Sequence, residues 1–490
     1  VTASGTMIET PALPTTNGPV SGLRLDGVSE FRGIPYAGPV GGANRFRAPV
    51  APTPWRETRA ATRWPLMAPQ PWGGMSADDE AYYGEVFGEP YVTESTEDGL
   101  YLNLWTPAAD EARRPVMVWL HGGSFSFGQA TRPRENGRTL SRVHDVVVVA
   151  PSHRLGLLGY LDTRTILGGD ANVGLRDLVL ALEWVRDNIE AFGGDPANVT
   201  VFGESGGGSK AATLLAVPSA AGLFHRAICQ SGVMPHPFAP GGLTPKQSQA
   251  MTDVVLSVIG DPAKLLELPA VELSTIPLPE GSGWQPVLDA ETLPVPVAEA
   301  LADGAGADIP LILGTNVDET RVLMRGRGLP ATVDELAGLL GGNSSLAEHY
   351  GATGGDFTFA AERALTDAMF RIPAIHFAEL RAAAGGAPVF MYQLSWQNPS
   401  RPDVGAGHGL ETSLLFGNLD AVPAIRDEPS AEVLSPAMGA AWAAFARNGW
   451  PLIGAEQWPP YTPGDRATVM WDVPPTVVSD PSSGDRRAWL

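Results

Sequence analysis

One cysteine, Cys229, stands in 490 residues. No internal disulfide can form, and metal sites built on C-x-x-C pairs are excluded. A reducing compartment fits this, as does export without bridges. The expectation is therefore a cytoplasmic protein, with a secreted form whose leader has been removed left open. No run of about 18 apolar residues occurs, so no membrane span is expected. The opening stretch "VTASGTMIETPALPTTNGP" has no basic region followed by an apolar core, and as it stands it does not read as a signal peptide. Positive charge is scarce as well. Lys and Arg number 33 against 54 Asp and Glu, a formal net charge of −21, and only Lys210, Lys246 and Lys264 are lysines. An acidic, mixed surface argues against nucleic acid and anionic membranes as partners. A small-molecule partner and a monomer are expected.

What the chain does have is apolar residues, 44% of the total, with 57 Gly and 45 Pro spread as turn punctuation. No repeat or low-complexity linker divides it. "LYLNLW" (100–105), "PVMVWL" (115–120), "VVVVAP" (146–151), "VTVFG" (199–203), "RAICQS" (226–231) and "IPLILG" (309–314) read as strands. Continuous apolar runs such as 146–150 indicate strands covered on both faces. Between two of them Leu175, Leu178, Leu182, Val185 and Ile189 recur at spacings of three and four, which predicts a helix over about 174–192. Gly193-Gly194 should stop it, with a turn at Asp195-Pro196. Alternation of strand and helix predicts an α/β fold with a mostly parallel, doubly wound sheet. One domain over 1–490 is expected, with helical insertions at about 234–300 and 320–385 forming a cap.

"VTVFGESGGGSK" (199–210) carries the chemistry, and two motifs overlap in it. A phosphate-cradling loop needs lysine directly after the second glycine, and here Ser209 holds that place. Lys210 is one residue late, which turns its ammonium about 100° around the helix axis. Gly203-Glu204-Ser205-Gly206-Gly207 instead spells G-x-S-x-G, the strand-to-helix turn that presents a nucleophilic serine. That motif is cheap in a glycine-rich chain, so it needs a base, an acid and oxyanion donors elsewhere.

Among the histidines far enough downstream, His376 sits in a helical stretch and His349 at a probable helix end. His408, in "GAGHGLE", is flanked by glycines and free to reach a site. The acid should follow a strand, and "IPLILGTNVDET" supplies both Asp318 and Glu319, chemically equal for orienting an imidazole. "VWLHGGSF" ends a strand in His121-Gly122-Gly123, where main-chain N–H groups can turn toward a developing oxyanion.

In order along the chain, "FRGIPYAGPVGGANRFRAP", "TEDGLYLNLWTP", "VMVWLHGGSFSFG", "HRLGLLGYL", "NVGLRDLVLALEWVRDNIEAFGGDPANVTVFGESGGG", "HRAICQSG", "LILGTNVDET", "GHGLETSLLFGN" and "WAAFARNGWP" resemble blocks of the type-B carboxylesterase family, the cholinesterase-like branch of the α/β-hydrolases. The resemblance runs from about 17 to 475 and implies an α/β-hydrolase fold with a capped gorge and hydrolysis of hydrophobic or aryl esters without cofactor. Residue by residue, it implies Ser205 as nucleophile, Glu319 as acid and His408 as base, which chooses between Asp318 and Glu319. Gly122, Gly123 and Gly206 match oxyanion donors. Glu204, Ser231 and Glu411 match groups near the site. Arg45 with Glu97, and Arg154 with Asp177, match structural ion pairs. Four positions depart from the pattern. Gly99 replaces a cysteine, Gly206 an alanine, Thr320 a glycine, and Ser124 a glycine or alanine. None removes a catalytic group. Aromatic residues Trp64, Trp72, Tyr82, Tyr83, Phe87, Tyr91, Phe125, Phe127, Phe357, Phe359, Phe370 and Trp396 are candidates to line a pocket. A weakly active binding protein, and a hydrolase of carbamates, amides or polyester fragments, are the alternatives.

Overall fold

Residues 8–71, 77–233, 241–279, 282–352 and 356–490 are described in the computed structural model. Trp72 and parts of both expected insertions, 234–240, 280–281 and 353–355, lie outside them. β-Branched and aromatic runs build a twelve-stranded sheet. In chain order its strands are β1 (Ile8–Glu9), β2 (Leu23–Leu25), β3 (Val28–Pro35), β4 (Tyr101–Thr106), β5 (Arg114–Leu120), β6 (Val147–Pro151), β7 (Gly194–Glu204), β8 (Arg226–Gln230), β9 (Leu311–Asn316), β10 (Val389–Leu394), β11 (Ala467–Trp471) and β12 (Thr476–Ser479). Their spatial order is β1-β2-β3-β4-β6-β5-β7-β8-β9-β10-β11-β12. From β6 to β11 every neighbouring pair is parallel, and the pairs at both ends are antiparallel.

Side chains alternate across this sheet with a period of two. Val116, Val118 and Leu120 of β5 enter one core with Val149, Val201 and the helix Val173–Asn188. Met117 and Trp119 enter the opposite core with Val148, Phe202 and the helix Pro429–Asn448. Burial on both faces explains why these strands read as unbroken apolar runs. The expected stripe is buried, with Leu175, Leu178, Leu182, Val185 and Ile189 each at most 1% exposed. Its last turn, Ile189–Phe192, tightens to a 3₁₀ helix. Asp195-Pro196 is not a free turn. It lies inside β7, where pairing with β5 jumps from Arg114–Gly194 to Val116–Val199. The proline cannot donate to the ladder, so the strand bulges around it.

Helices dominate the described parts of the expected insertions: Pro245–Ile259, Lys264–Glu267, Ala270–Ser274 and Val297–Ala302 in the first, and Val333–Leu339, Ser344–Gly351, Phe357–Thr366 and Ile372–Ala384 in the second. A separate small core of Leu336, Leu346, Tyr350, Ala361 and Leu365 holds part of the second together. No helix among the described residues is long and apolar enough to cross a membrane.

One topological feature positions the site. After β5 the chain places β6 on one side and then returns to place β7 on the other. Loops leaving the carboxyl ends of β5 and β7 therefore diverge and leave a crevice, the place where open parallel sheets bind ligands. His121 follows β5, Ser205 follows β7, Ser231 follows β8, and Glu319 lies just past β9.

Candidate active site

Ser205 takes φ 55° and ψ −123°, a strained conformation between β7 and the helix Gly206–Leu214. Such a conformation costs about 1–3 kcal/mol and persists only where surroundings hold it. The Ser205 amide donates to the Gln230 carbonyl at 2.8 Å, tying the turn to the end of β8. Gly207 permits the turn to close, because a Cβ there would lie 1.9 Å from the Leu120 carbonyl oxygen.

His408 is 5% exposed, and its Nδ1 lies 2.6 Å from Glu319 Oε2. The other oxygen of Glu319 accepts the Asn316 amide N–H at 2.7 Å. Asp318, the chemically equal neighbour, points elsewhere. Its Oδ2 accepts the Ala406 amide at 3.0 Å and the Gln397 side chain at 2.6 Å, and it pairs with Arg321 at 2.9 Å. One carboxylate thus meets the imidazole while the other holds the loop that carries it. Histidine Nε2 lies 3.1 Å from Glu204 Oε1, an ionic approach without aligned hydrogen-bond geometry. Phe370, on the π-helical turn Asp367–Arg371, places its ring centroid 5.0 Å from that of His408.

Three buried carboxylates, Glu204, Glu319 and Glu411, surround this imidazole. Burial tends to lower the His408 pKa, but the charges of Glu204 and then Glu319 prevail and raise it to about 9. Burial raises the Glu204 pKa, opposed by the charges of His408 and Arg134. Glu411 is pushed to about 8 by burial and then by the charges of Glu204 and Glu319. It accepts from Asn316 Nδ2 at 2.7 Å and meets Gln230 Nε2 at 3.4 Å.

Asn316 and Arg134 were not singled out in the sequence. Asn316 also holds the Gly407 carbonyl at 2.8 Å, joining the acid, Glu411 and the histidine loop. Arg134 donates to the Gly409 carbonyl at 3.1 Å and to Glu135 at 3.1 Å, and it lies 3.9 Å from Glu204. Neither residue belongs to a local pattern, since both act through partners distant in the chain. Ser231 is buried with φ 48°, its amide bonded to the Gly314 carbonyl at 2.8 Å. Its Oγ has no hydrogen-bond partner among the described residues.

The turn after β5 folds over the serine. Ser124 and Phe125 take φ 49° and 61°, and the Ser126 amide donates to the Gly123 carbonyl at 2.8 Å to close it. A Cβ built on Gly122 would lie 3.5 Å from Ser205 Cβ and 3.0 Å from Glu204 Oε2. A Cβ on Gly206 would lie 2.4 Å from the Ser124 nitrogen. Gly122, Gly123 and Gly206 therefore converge on Ser205 with a further main-chain amide, that of Ser124, beside Gly206.

Lys210, one residue past the phosphate-loop register, lies on the helix Gly206–Leu214. It is fully buried, with Nζ 3.0 Å from the His121 carbonyl. His349 pairs with Asp485 at 2.9 Å, and His376 is exposed on Ile372–Ala384. Arg45–Glu97 at 2.6 Å and Arg154–Asp177 at 2.7 Å form the two ion pairs expected of the scaffold. Of the aromatic candidates, Phe370 touches His408 and Phe87 lies under Arg134 at 4.8 Å. Trp64 stacks on Tyr91, Phe125 packs edge-on to Tyr160, and Trp396 is buried against Ser430.

Comparison with known proteins agrees over nearly the whole chain. The model of the carboxylesterase family matches residues 9–328 and 344–488. The chain is 35% identical to a para-nitrobenzyl esterase of Bacillus subtilis, over 96% of this chain and 97% of that protein. It is 33% identical to a phenmedipham hydrolase of Pseudarthrobacter oxydans, over 95% of each. A solved PNB esterase superposes with a TM-score of 0.87 at 33% identity, covering 98% of this chain and 99% of that one. A carboxylesterase of Geobacillus stearothermophilus superposes with a TM-score of 0.86 at 32% identity, covering 98% and 100%.

Proposed function

The chain belongs to the carboxylesterase family and is a serine carboxylic-ester hydrolase of the α/β-hydrolase fold, and from that premise we propose that Ser205, His408 and Glu319 are its nucleophile, base and acid. The observation that carries this reading is the 2.6 Å contact between His408 Nδ1 and Glu319 Oε2, which leaves Nε2 3.1 Å from the carboxylate of Glu204, the residue before Ser205. Ser205 Oγ attacks the ester carbonyl carbon as its proton passes to His408 Nε2. Apo contacts of this kind tighten when substrate fills the site. Amides of the turn Gly122–Ser124 and of Gly206 receive the oxyanion, each donor worth about 3–4 kcal/mol. The imidazolium then protonates the leaving alcohol. Water, activated by the same imidazole, attacks the acyl-enzyme and releases the acid, regenerating Ser205. Glu319 stays ionised and holds the tautomer. Glu204 and Glu411 tune the imidazole through their charge, and Ser231 lines the end of β8 behind the serine. No metal or organic cofactor enters these steps.

Small to medium hydrophobic or aryl esters are the proposed substrates. Phe370 beside His408 gives an apolar ring next to the reacting atoms, and the names of the relatives point to aryl-bearing substrates. The insertions at 234–300 and 320–385 would cap the carboxyl edge of the sheet within one domain over 1–490. A panel of p-nitrophenyl esters of increasing acyl length, with an aryl carbamate and an aromatic diester, tests the class and sizes the pocket. Ser205→Ala should lose about 10⁴-fold or more of kcat, and an organophosphonate should label Ser205 stoichiometrically. Substantial turnover in Ser205→Ala would overturn the assignment. Labelling without turnover on any ester would leave a binding protein instead.

A further inference from the structure

Lys210 lies on the helix Gly206–Leu214, with its side chain fully buried beneath the turn after β5. Nζ donates to the His121 carbonyl at 3.0 Å and lies 5.6 Å from the Phe125 ring centroid. It forms no salt bridge within 4 Å among the described residues. Burying an ammonium with a carbonyl for its partner costs several kcal/mol, and an apolar side chain of the same length would pack there more cheaply. That cost asks for a return outside stability.

The geometry supplies one. A peptide unit is planar and trans, so holding its carbonyl on one side aims its N–H to the other. The carbonyl of His121 and the N–H of Gly122 share one such unit. His121 Nδ1 lies 2.9 Å from the Gly122 carbonyl. That oxygen can only accept, so Nδ1 carries the proton. This second bond fixes the next unit, whose N–H belongs to Gly123. Lys210 and His121 together tie down two successive carbonyls beneath the turn. Polarising a carbonyl also strengthens the N–H of the same unit as a donor.

We propose that Lys210 is a positioning residue for ester hydrolysis: its buried ammonium grips the His121 carbonyl, orients and polarises the glycine turn, and places positive charge on the side of Ser205 where the oxyanion forms. This rests on the reading of Ser205 as nucleophile and of the turn as its oxyanion site. The groups that face the ammonium are Glu135, whose charge acts on it, and the stacked pair His121 and His153, 4.5 Å apart. Desolvation lowers the Lys210 pKa to about 7 and lowers both histidines well below their usual value, so of the three basic groups the lysine is the one that keeps positive charge as the pH rises toward 7.

Lys210→Met keeps the length and removes both the donor and the charge. On p-nitrophenyl butyrate its kcat should fall about 10- to 100-fold with KM changed less than about twofold. Affinity for a trifluoromethyl ketone, which forms a tetrahedral adduct on the serine, should fall in parallel with kcat/KM. A purely structural role would lower melting temperature and yield while leaving kcat per folded molecule and ketone affinity intact, and that result overturns the proposal. Should the Met variant fail to fold, Lys210→Gln retains a neutral donor. A kcat at least about threefold below wild type, with KM unchanged, supports the proposal, and a kcat equal to wild type overturns it. Failure of the underlying reading looks different, because Ser205→Ala would then keep turnover and the phosphonate would not label Ser205.

Discussion

Two buried clusters flank Ser205, one built of carboxylates around an imidazole and the other of basic side chains. On the His408 side stand Glu204, Glu319 and Glu411, each at most 2% exposed, and protonation of the imidazole is favoured. On the glycine-turn side stand Lys210, His121 and His153, equally buried, and protonation is disfavoured for all three. Burial alone would push every one of these groups toward neutrality. The difference lies in the company each keeps. Ester hydrolysis needs the same polarity, since the base gains a proton on one side while the carbonyl oxygen gains negative charge on the other. Fixed charges already arranged this way need no reorganisation when the reaction occurs.

Breaking the acidic side should have the largest effect. Glu319→Gln keeps the shape but removes the charge and favours the wrong tautomer, so kcat should fall about 10⁴-fold with folding retained. Steady-state kinetics on a p-nitrophenyl ester, with a melting curve beside it, measures this.

The basic side sharpens the contrast through stability. A lysine titrating near 7 when folded and near 10.4 when unfolded leaves the unfolded chain holding more protons across that window. Stability of the wild type should therefore rise with pH from about 7 to 10 relative to Lys210→Met, the reverse of what a favourably paired lysine would give. Denaturant unfolding at several pH values in that range checks the sign.

Smallest is the effect of Glu204→Gln. Removing a negative charge 3.1 Å from Nε2 lowers the His408 pKa. The acid limb of kcat/KM should move down by roughly one pH unit, about 1.4 kcal/mol, with kcat on the plateau nearly kept. An unmoved limb would mean that Glu204 is uncharged throughout and does not act on the imidazole through charge.

The strands that frame the crevice were legible because burial on both faces writes them as unbroken apolar runs. Strands β1–β3 and β10–β12 were not picked out; most are short or mixed, while β10, VFMYQL, is as fully buried as the strands that were. Glu319 could be told from Asp318 in the sequence only by family resemblance. The physical distinction, that Asp318 is occupied with Ala406 and Gln397, exists only once residues about 80 positions apart meet. Asn316, Arg134 and Lys210 were missed or discounted for the same reason. A side chain that works by gripping a distant main-chain carbonyl leaves no local pattern, and the one-residue offset that removed Lys210 from the phosphate-loop reading is what turns it inward beneath the glycine turn.

The close approach of Gly206 to the Ser124 nitrogen reaches into how this chain can change. The family pattern usually has alanine where Gly206 stands, yet a Cβ at 206 would come within 2.4 Å of that main-chain atom. Alanine at 206 would push the turn after β5 aside, so only a chain whose turn lay further off could accept it. The constraint comes from main-chain atoms of residues 123 and 124, so it is relieved by moving the turn's backbone and not by changing the side chain at 124.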